Sequence, residues 1–185
     1  VLNEDDQEIL GNPMPKVIYG LNASAEFKNF DLAVIVAGFS GLKLVNALRY
    51  YTAFADKPHN STTDILNRWK QPGDVAPLPR AGQSAVNNLR PSDFYVQDGS
   101  FLRLRNVTIG YSIPAKALSN ATHNVISRLR LYAAAENLFT ATNYGGYDPE
   151  VSTQGNNGNY IFQRGIDEGQ LPQPRTILVG LQLGF

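Results

Sequence analysis

Apolar and polar positions alternate with a period of two along five stretches of this chain, and two long stretches between them show no such order. The alternation is cleanest in residues 175–185. Ile177, Val179, Leu181, Leu183 and Phe185 fall on one face, while Thr176, Gly180, Gln182 and Gly184 fall on the other, with Leu178 the exception. A period of two marks a strand, because successive side chains point to opposite faces. A strand of this length, rising roughly 3.3 Å per residue and tilted by about 45°, spans about 26 Å, the height of the apolar band of an outer-membrane barrel.

The other four stretches repeat the pattern. In Val17–Phe27 one face carries Val17, Tyr19, Leu21, Ala23, Ala25 and Phe27. In 30–39 it carries Phe30, Leu32, Val34, Val36 and Gly38, opposite Asp31 and Ala33. Only Lys28-Asn29 separates these two strands, which predicts an antiparallel hairpin. A third strand, 101–113, has an apolar odd face of Val107, Ile109, Tyr111 and Ile113, but the same parity also carries Arg103 and Arg105. Arginine on a lipid face near the midplane costs about 2–4 kcal/mol. One extra residue would switch the parity, so a β-bulge is predicted between Arg105 and Val107, with both arginines lumenal. The fourth strand, 125–137, sets Leu129, Leu131, Ala133 and Ala135 against Arg128, Arg130, Tyr132 and Glu136.

Between the strands lie two short turns, at Lys28-Asn29 and 114–124, and two long connections, 41–100 and 138–174. Helical spacing is read in 42–55, a capped short helix in 62–69 and a helical turn in 114–119. An antiparallel meander puts both short turns at one end and both long loops at the other, the asymmetry of transmembrane barrels. The aromatic residues group the same way. Phe27, Phe30, Tyr111 and Phe185 are expected outward at the short-turn end, and Tyr19 and Phe101 at the other. Five strands cannot close a barrel, so the expected fold is all-β, part of a larger transmembrane antiparallel β-barrel.

Composition narrows the function. The 16 basic and 16 acidic residues balance, which gives nucleic acid no electrostatic footing. Cysteine is absent, so a thiolate metal site and a cysteine nucleophile are excluded. The longest apolar run, 32–39, is far shorter than a spanning helix, and the first residues do not resemble a signal peptide. His59 and His123 have no metal-ligand spacing. Glu4, Asp5 and Asp6 lack the glycine-spaced acidic loop of a calcium hand and read as a solvated turn. No catalytic constellation, metal site or cofactor motif emerges.

Residues 98–111, Asp-Gly-Ser-Phe-Leu-Arg-Leu-Arg-Asn-Val-Thr-Ile-Gly-Tyr, resemble the signature of SusC/RagA-like TonB-dependent outer-membrane transporters. Leu66-Asn67-Arg68-Trp69, Arg130-Leu131-Tyr132, Asn137-Leu138-Phe139-Thr140, Tyr144-Gly145-Gly146-Tyr147-Asp148-Pro149-Glu150, Arg164-Gly165-Ile166-Asp167 and Leu183-Gly184-Phe185 match in that family's order. Leu171-Pro172 departs from the usual Tyr-Pro. The resemblance implies the last five strands of a barrel of about 22, in the outer membrane of a Gram-negative cell. A plug and a segment contacting TonB-ExbB-ExbD would lie outside this chain, and a SusD/RagB-like lipoprotein would act as a lid. The implied activity is energised import of oligosaccharides or peptides, without enzymatic chemistry.

Within the second long connection, Tyr144, Tyr147, Asp148, Asn156, Asn157, Tyr160 and Gln163 are the candidate substrate contacts, since aromatic faces with amides and carboxylates suit sugars and peptides alike. The competing reading is that Tyr147 and Asp148 only order the loop or dock the lid. Arg103, Arg105, Arg128, Arg130 and Glu136 are expected to pair across strands in the lumen. A passive porin or adhesin barrel and a soluble β-sandwich remain as alternatives. Expressed by itself, the 185-residue piece should aggregate or require detergent; a soluble, cooperatively folding monomer would overturn the barrel reading.

Overall fold

The alternating stretches do form strands. A computed structural model describes residues 6–54, 60–81, 90–123, 125–151 and 164–185. The chain divides into two compact units: a sheet unit of Pro15–Ser40, Ser100–Asn143 and Pro172–Phe185, and a loop unit of Val1–Met14, Gly41–Gly99 and Tyr144–Leu171.

The sheet unit is a five-stranded antiparallel meander. Its strands are β1 (Val17–Phe27), β2 (Phe30–Ser40), β5 (Phe101–Ser112), β6 (Arg128–Thr142) and β8 (Thr176–Gly184), in the order β1-β2-β5-β6-β8. Phe27 faces Phe30 across the Lys28-Asn29 turn, and Lys28 adopts φ 56, the left-handed backbone a two-residue hairpin requires. Helix α2 (Ala115–Thr122) joins β5 to β6 and ends at His123 with φ 51. It is a longer helix than the single turn expected at 114–119. The fourth strand is also displaced from expectation: it begins at Arg128 and continues through Leu138 and Phe139 to Thr142. Asn137 takes φ 49 within it, absorbing the irregularity that resembles a strand end in sequence.

The expected parity switch is present, one residue early. Val36 pairs with Leu104 and Ile35 with Asn106, so Arg105 is the extra residue of a bulge against β2. Arg103 thereby lies on the Asp31 face with Ala37, while Leu102 and Leu104 join the apolar face with Gly38 and Val36. The same switch corrects one expectation. Phe101 lies opposite Phe39, with ring centroids 5.2 Å apart, on the face that carries Arg103. It is 2% exposed and belongs to the opposite face from Tyr19. Parity counted from Val107 fails for Phe101 because the bulge lies between them. Tyr19 reaches across β2, and its hydroxyl donates to the Phe101 carbonyl at 2.9 Å.

The other face carries Phe30 and Tyr111, rings 4.8 Å apart, in register with Leu131 and Leu181. Val179 and Phe185 are more than four-fifths exposed. Such a bare apolar surface on an ordered sheet marks contact with an apolar medium or partner.

The loop unit contains secondary structure that periodicity missed. β3 (Lys43–Asn46) pairs antiparallel with β4 (Val96–Asp98) and parallel with β7 (Ile166–Asp167). The helix expected over 42–55 is therefore a strand followed by the single turn α1 (Arg49–Thr52). Leu44 and Asn46 are both buried, a spacing of two that overrides the helical spacing of Leu44, Leu48 and Tyr51. The helix at 62–69 is a 3-10 turn, Thr63–Asn67; the Thr62 hydroxyl donates to the Thr52 carbonyl instead of capping it. A small core of Ala53, Phe54, Leu78 and Tyr95 holds the unit, with Tyr50 stacked on Tyr95 at 3.8 Å.

Candidate functional site

Two groups of polar residues are organised by these units, each within its own unit. In the sheet unit the organising residue is Gly110. It lies between Asp31 on β2 and Tyr132 on β6, and its missing side chain opens a gap on the polar face. Through that gap Arg130 reaches over β5 to Asp31. Its Nε donates to Asp31 Oδ1 at 2.8 Å and its Nη2 to Oδ2, a bidentate pair linking strands that are not neighbours. Arg130 Nη1 also donates to Gln182 Oε1 on β8 at 3.3 Å, so one guanidinium ties three strands together. A polar cavity of about 370 Å³ adjoins this network, with Glu26, Lys28 and Arg128 in its wall.

Each charge expected on this face can now be placed. Arg130 is paired as described, and Arg128 borders the same cavity. Arg103 is 2% exposed and donates from Nε to Thr140 Oγ1 at 2.9 Å. Arg105 occupies the bulge, and Glu136 lies in register between Asn106 and Thr176. Sequence reasoning did not name Asp31 as the partner of Arg130. The signal was present, since Asp31 is a carboxylate on the polar side of an otherwise apolar strand, but pairing across an intervening strand requires the register.

In the loop unit the organising residue is Asp167, which is 1% exposed. Its Oδ1 accepts the backbone N–H groups of Gly169 and Gln170 at 2.9 and 3.0 Å, and its Oδ2 accepts the Tyr144 hydroxyl at 2.7 Å. Burial raises the Tyr144 phenol well above its ordinary range, and the hydrogen bond and charge of Asp167 raise it further. Gln97 Oε1 accepts the Gly145 N–H at 2.9 Å, fastening the next residue to β4. The segment 144–150 is thus pinned at its start.

The candidate substrate contacts therefore separate. Tyr144 and Asp148 are buried, and Asp148 Oδ1 accepts the Glu150 N–H at 2.9 Å, so both order the loop. Tyr147 is 64% exposed. Asn156, Asn157, Tyr160 and Gln163, like His59, lie outside the described residues. Asp167 and Gln97 were missed as organisers. Glycines at 165 and 169 around the Asp167-Glu168 pair are the sequence signal for Asp167, whereas Gln97 has none.

Over 183 residues the chain is 33% identical to TonB-dependent receptor P3 of Formosa agariphila, covering 97% of this chain and 17% of the receptor. It is 29% identical to the TonB-dependent receptor SusC of Bacteroides thetaiotaomicron over all of this chain and 16% of SusC. The structure of the RagAB peptide importer in its closed-closed state superposes with a TM-score of 0.79 at 28% identity, over 96% of this chain and 18% of that one. Nearly the whole chain is similar to SusC/RagA-like TonB-dependent receptors. It spans about a sixth of the length of the curated relatives it matches. No family model matches it. Receptors of this family are outer-membrane β-barrel proteins, and the five-stranded sheet of this SusC/RagA-like chain is a section of such a wall, not closed by itself.

Two outcomes follow from the two organising residues. Replacing Gly110 by Ala puts a methyl 2.5 Å from Arg130 Nε and Nη2 and closer still to Asp31 Oδ1, so the bridge must shift from its present geometry. Gly110→Ala should lower the thermal midpoint of the full-length receptor, and adding Asp31→Asn should cost little more, as a double-mutant cycle checks. In the loop unit, Tyr144→Phe should cost about 1–3 kcal/mol by leaving the Asp167 carboxylate short of a donor. An unfolded tyrosine ionises near pH 10, and the folded pKa is higher, so this stability is complete below about pH 10. It then falls by about 1.4 kcal/mol per pH unit as pH rises further. Hydrogen exchange of the 144–151 amides should show loosening above that pH in the native protein and a weaker pH response in Tyr144→Phe.

Proposed function

We propose that this chain forms the C-terminal part of the barrel of a TonB-dependent importer of large nutrients in the outer membrane. The observation that carries this reading is the match of nearly the whole chain to TonB-dependent receptors and to the RagAB peptide importer. Under it, β8 is the closing strand, the turns at Lys28-Asn29 and α2 face the periplasm, and the connections that build the loop unit face outside the cell. Phe27, Phe30, Tyr111 and Phe185 anchor the lipid face at the periplasmic side, with Tyr19 at the other. The Asp31–Arg130 face lines the lumen.

A SusD/RagB-like lipoprotein covers the outer loops, and TonB-ExbB-ExbD supplies the energy through a part of the receptor beyond this chain. Tyr147 is an exposed contact for lid or substrate, and Asn156, Asn157, Tyr160 and Gln163 extend the same connection. Likeness to a peptide importer supports peptide over oligosaccharide as the cargo. Uptake of a labelled peptide by cells carrying the full-length receptor tests the reading. Uptake should stop when TonB is deleted or a protonophore is added; uptake that persists would mean a passive barrel.

A further inference from the structure

The loop unit carries an open cavity of about 260 Å³ whose lining has no role assigned from sequence. Its wall is apolar: Leu10, Val45, Tyr50, Pro91 and Val96 contribute, and Tyr50 is backed by its stacking on Tyr95. Three charged side chains, Glu8, Lys43 and Arg164, also line it, and all three residues are exposed. Among the described residues neither cation has a carboxylate within ion-pair distance. Arg164 Nη1 lies 2.9 Å from Met14 Sδ, a weak acceptor that leaves the other guanidinium donors available.

Backbone bonds hold the cavity open. Lys43 N–H donates to the Asn12 carbonyl at 2.9 Å and Val45 N–H to the Gly165 carbonyl at 2.7 Å, fastening both flanking segments to β3. Gly11 lets the Lys43 stem pass against the chain; a Cβ there would lie 2.5 Å from Lys43 Cγ. The stem is thus fixed while its ammonium remains at the surface.

We infer that this cavity receives the C-terminal residue of a peptide, with an apolar side chain inside and the carboxylate at Lys43 and Arg164. The inference rests on the import reading and names the substrate class. A water occupies about 30 Å³ of liquid, so the space is several times larger than ordered solvent needs and suits one aliphatic side chain with its backbone. The net positive charge of the lining, two cations against one carboxylate, favours an anionic terminus. A sugar ring fits the chemistry poorly, because its hydroxyls would meet hydrocarbon from Leu10, Val45, Pro91 and Val96 without partners.

Calorimetric titration of the purified full-length receptor with Gly-Gly-Gly-Leu, with its C-terminal amide and with maltotetraose tests this. The acid should bind, the amide should bind about tenfold more weakly, and maltotetraose should not compete. Lys43→Met with Arg164→Met keeps both aliphatic stems. It should weaken the acid about tenfold and leave the amide unchanged, at normal surface levels. Absence of acid binding at millimolar concentration, equal affinity for acid and amide, competition by maltotetraose, or unchanged affinity in the double variant would each overturn the assignment. TonB-dependent uptake measured in the same strains separates the two ideas. Retained, it leaves the importer reading standing without this site; lost TonB dependence in the unaltered receptor would end that reading itself.

Discussion

A strand that faces an apolar medium on one side can keep a cation only on the other, and the sheet unit is arranged around that restriction. Strict alternation would force Arg103 onto the face of Val107 and Tyr111. The extra residue at Arg105 shifts the register, and Arg103 packs beside Phe101 and Thr140 instead. One inserted residue therefore reconciles two halves of a strand whose hydrophobic patterns have opposite parity. The same restriction explains Gly110, because charges confined to one face must meet each other there. Asp31 and Arg130 can do so across β5 only where β5 has no side chain.

The loop unit solves a different problem. It has little regular structure, so its buried backbone and polar groups need individual partners. Asp167 supplies three of them, two amides and the Tyr144 hydroxyl. One buried carboxylate carrying three donors is well satisfied, whereas the Asn46 Oδ1 beside it in β3 has no hydrogen-bond partner among the described residues. The Tyr50–Tyr95 stack supplies apolar contact, and the Arg49 guanidinium lies over the Phe94 ring, 3.9 Å from its centroid, as a cation–π contact.

Much of the sheet was legible in the sequence because a period of two is a strong local signal. The hairpin, the meander and the parity conflict at Arg103 all follow from it. What was not legible depends on partners distant in the chain. Strands β3, β4 and β7 are too short to show alternation, and Leu44 with Leu48 imitates a helix. The parity of Val107 does not extend to Phe101, because the extra residue at Arg105 turns every side chain before it to the opposite face. For the candidate site, Tyr144 and Asp148 read as exposed polar residues, and only the position of Asp167 and the turn at Glu150 show that they are internal fastenings.

The parallel pairing of β3 with β7 has a consequence for the order of assembly. Asn46 meets Asp167, so the loop unit cannot be completed from the connection after β2 alone. Its third strand emerges only after β5 and β6 have been made. Two antiparallel strand pairs of the wall, β1–β2 and β5–β6, thus precede β7 in the chain, and closing so long a loop costs entropy that only the last pairing offsets. A nascent chain stopped before Ile166 would carry β3 and β4 with one edge still open, a surface that other extended chains can join. In the finished loop unit β7 covers that edge of β3, which lies between β4 and β7.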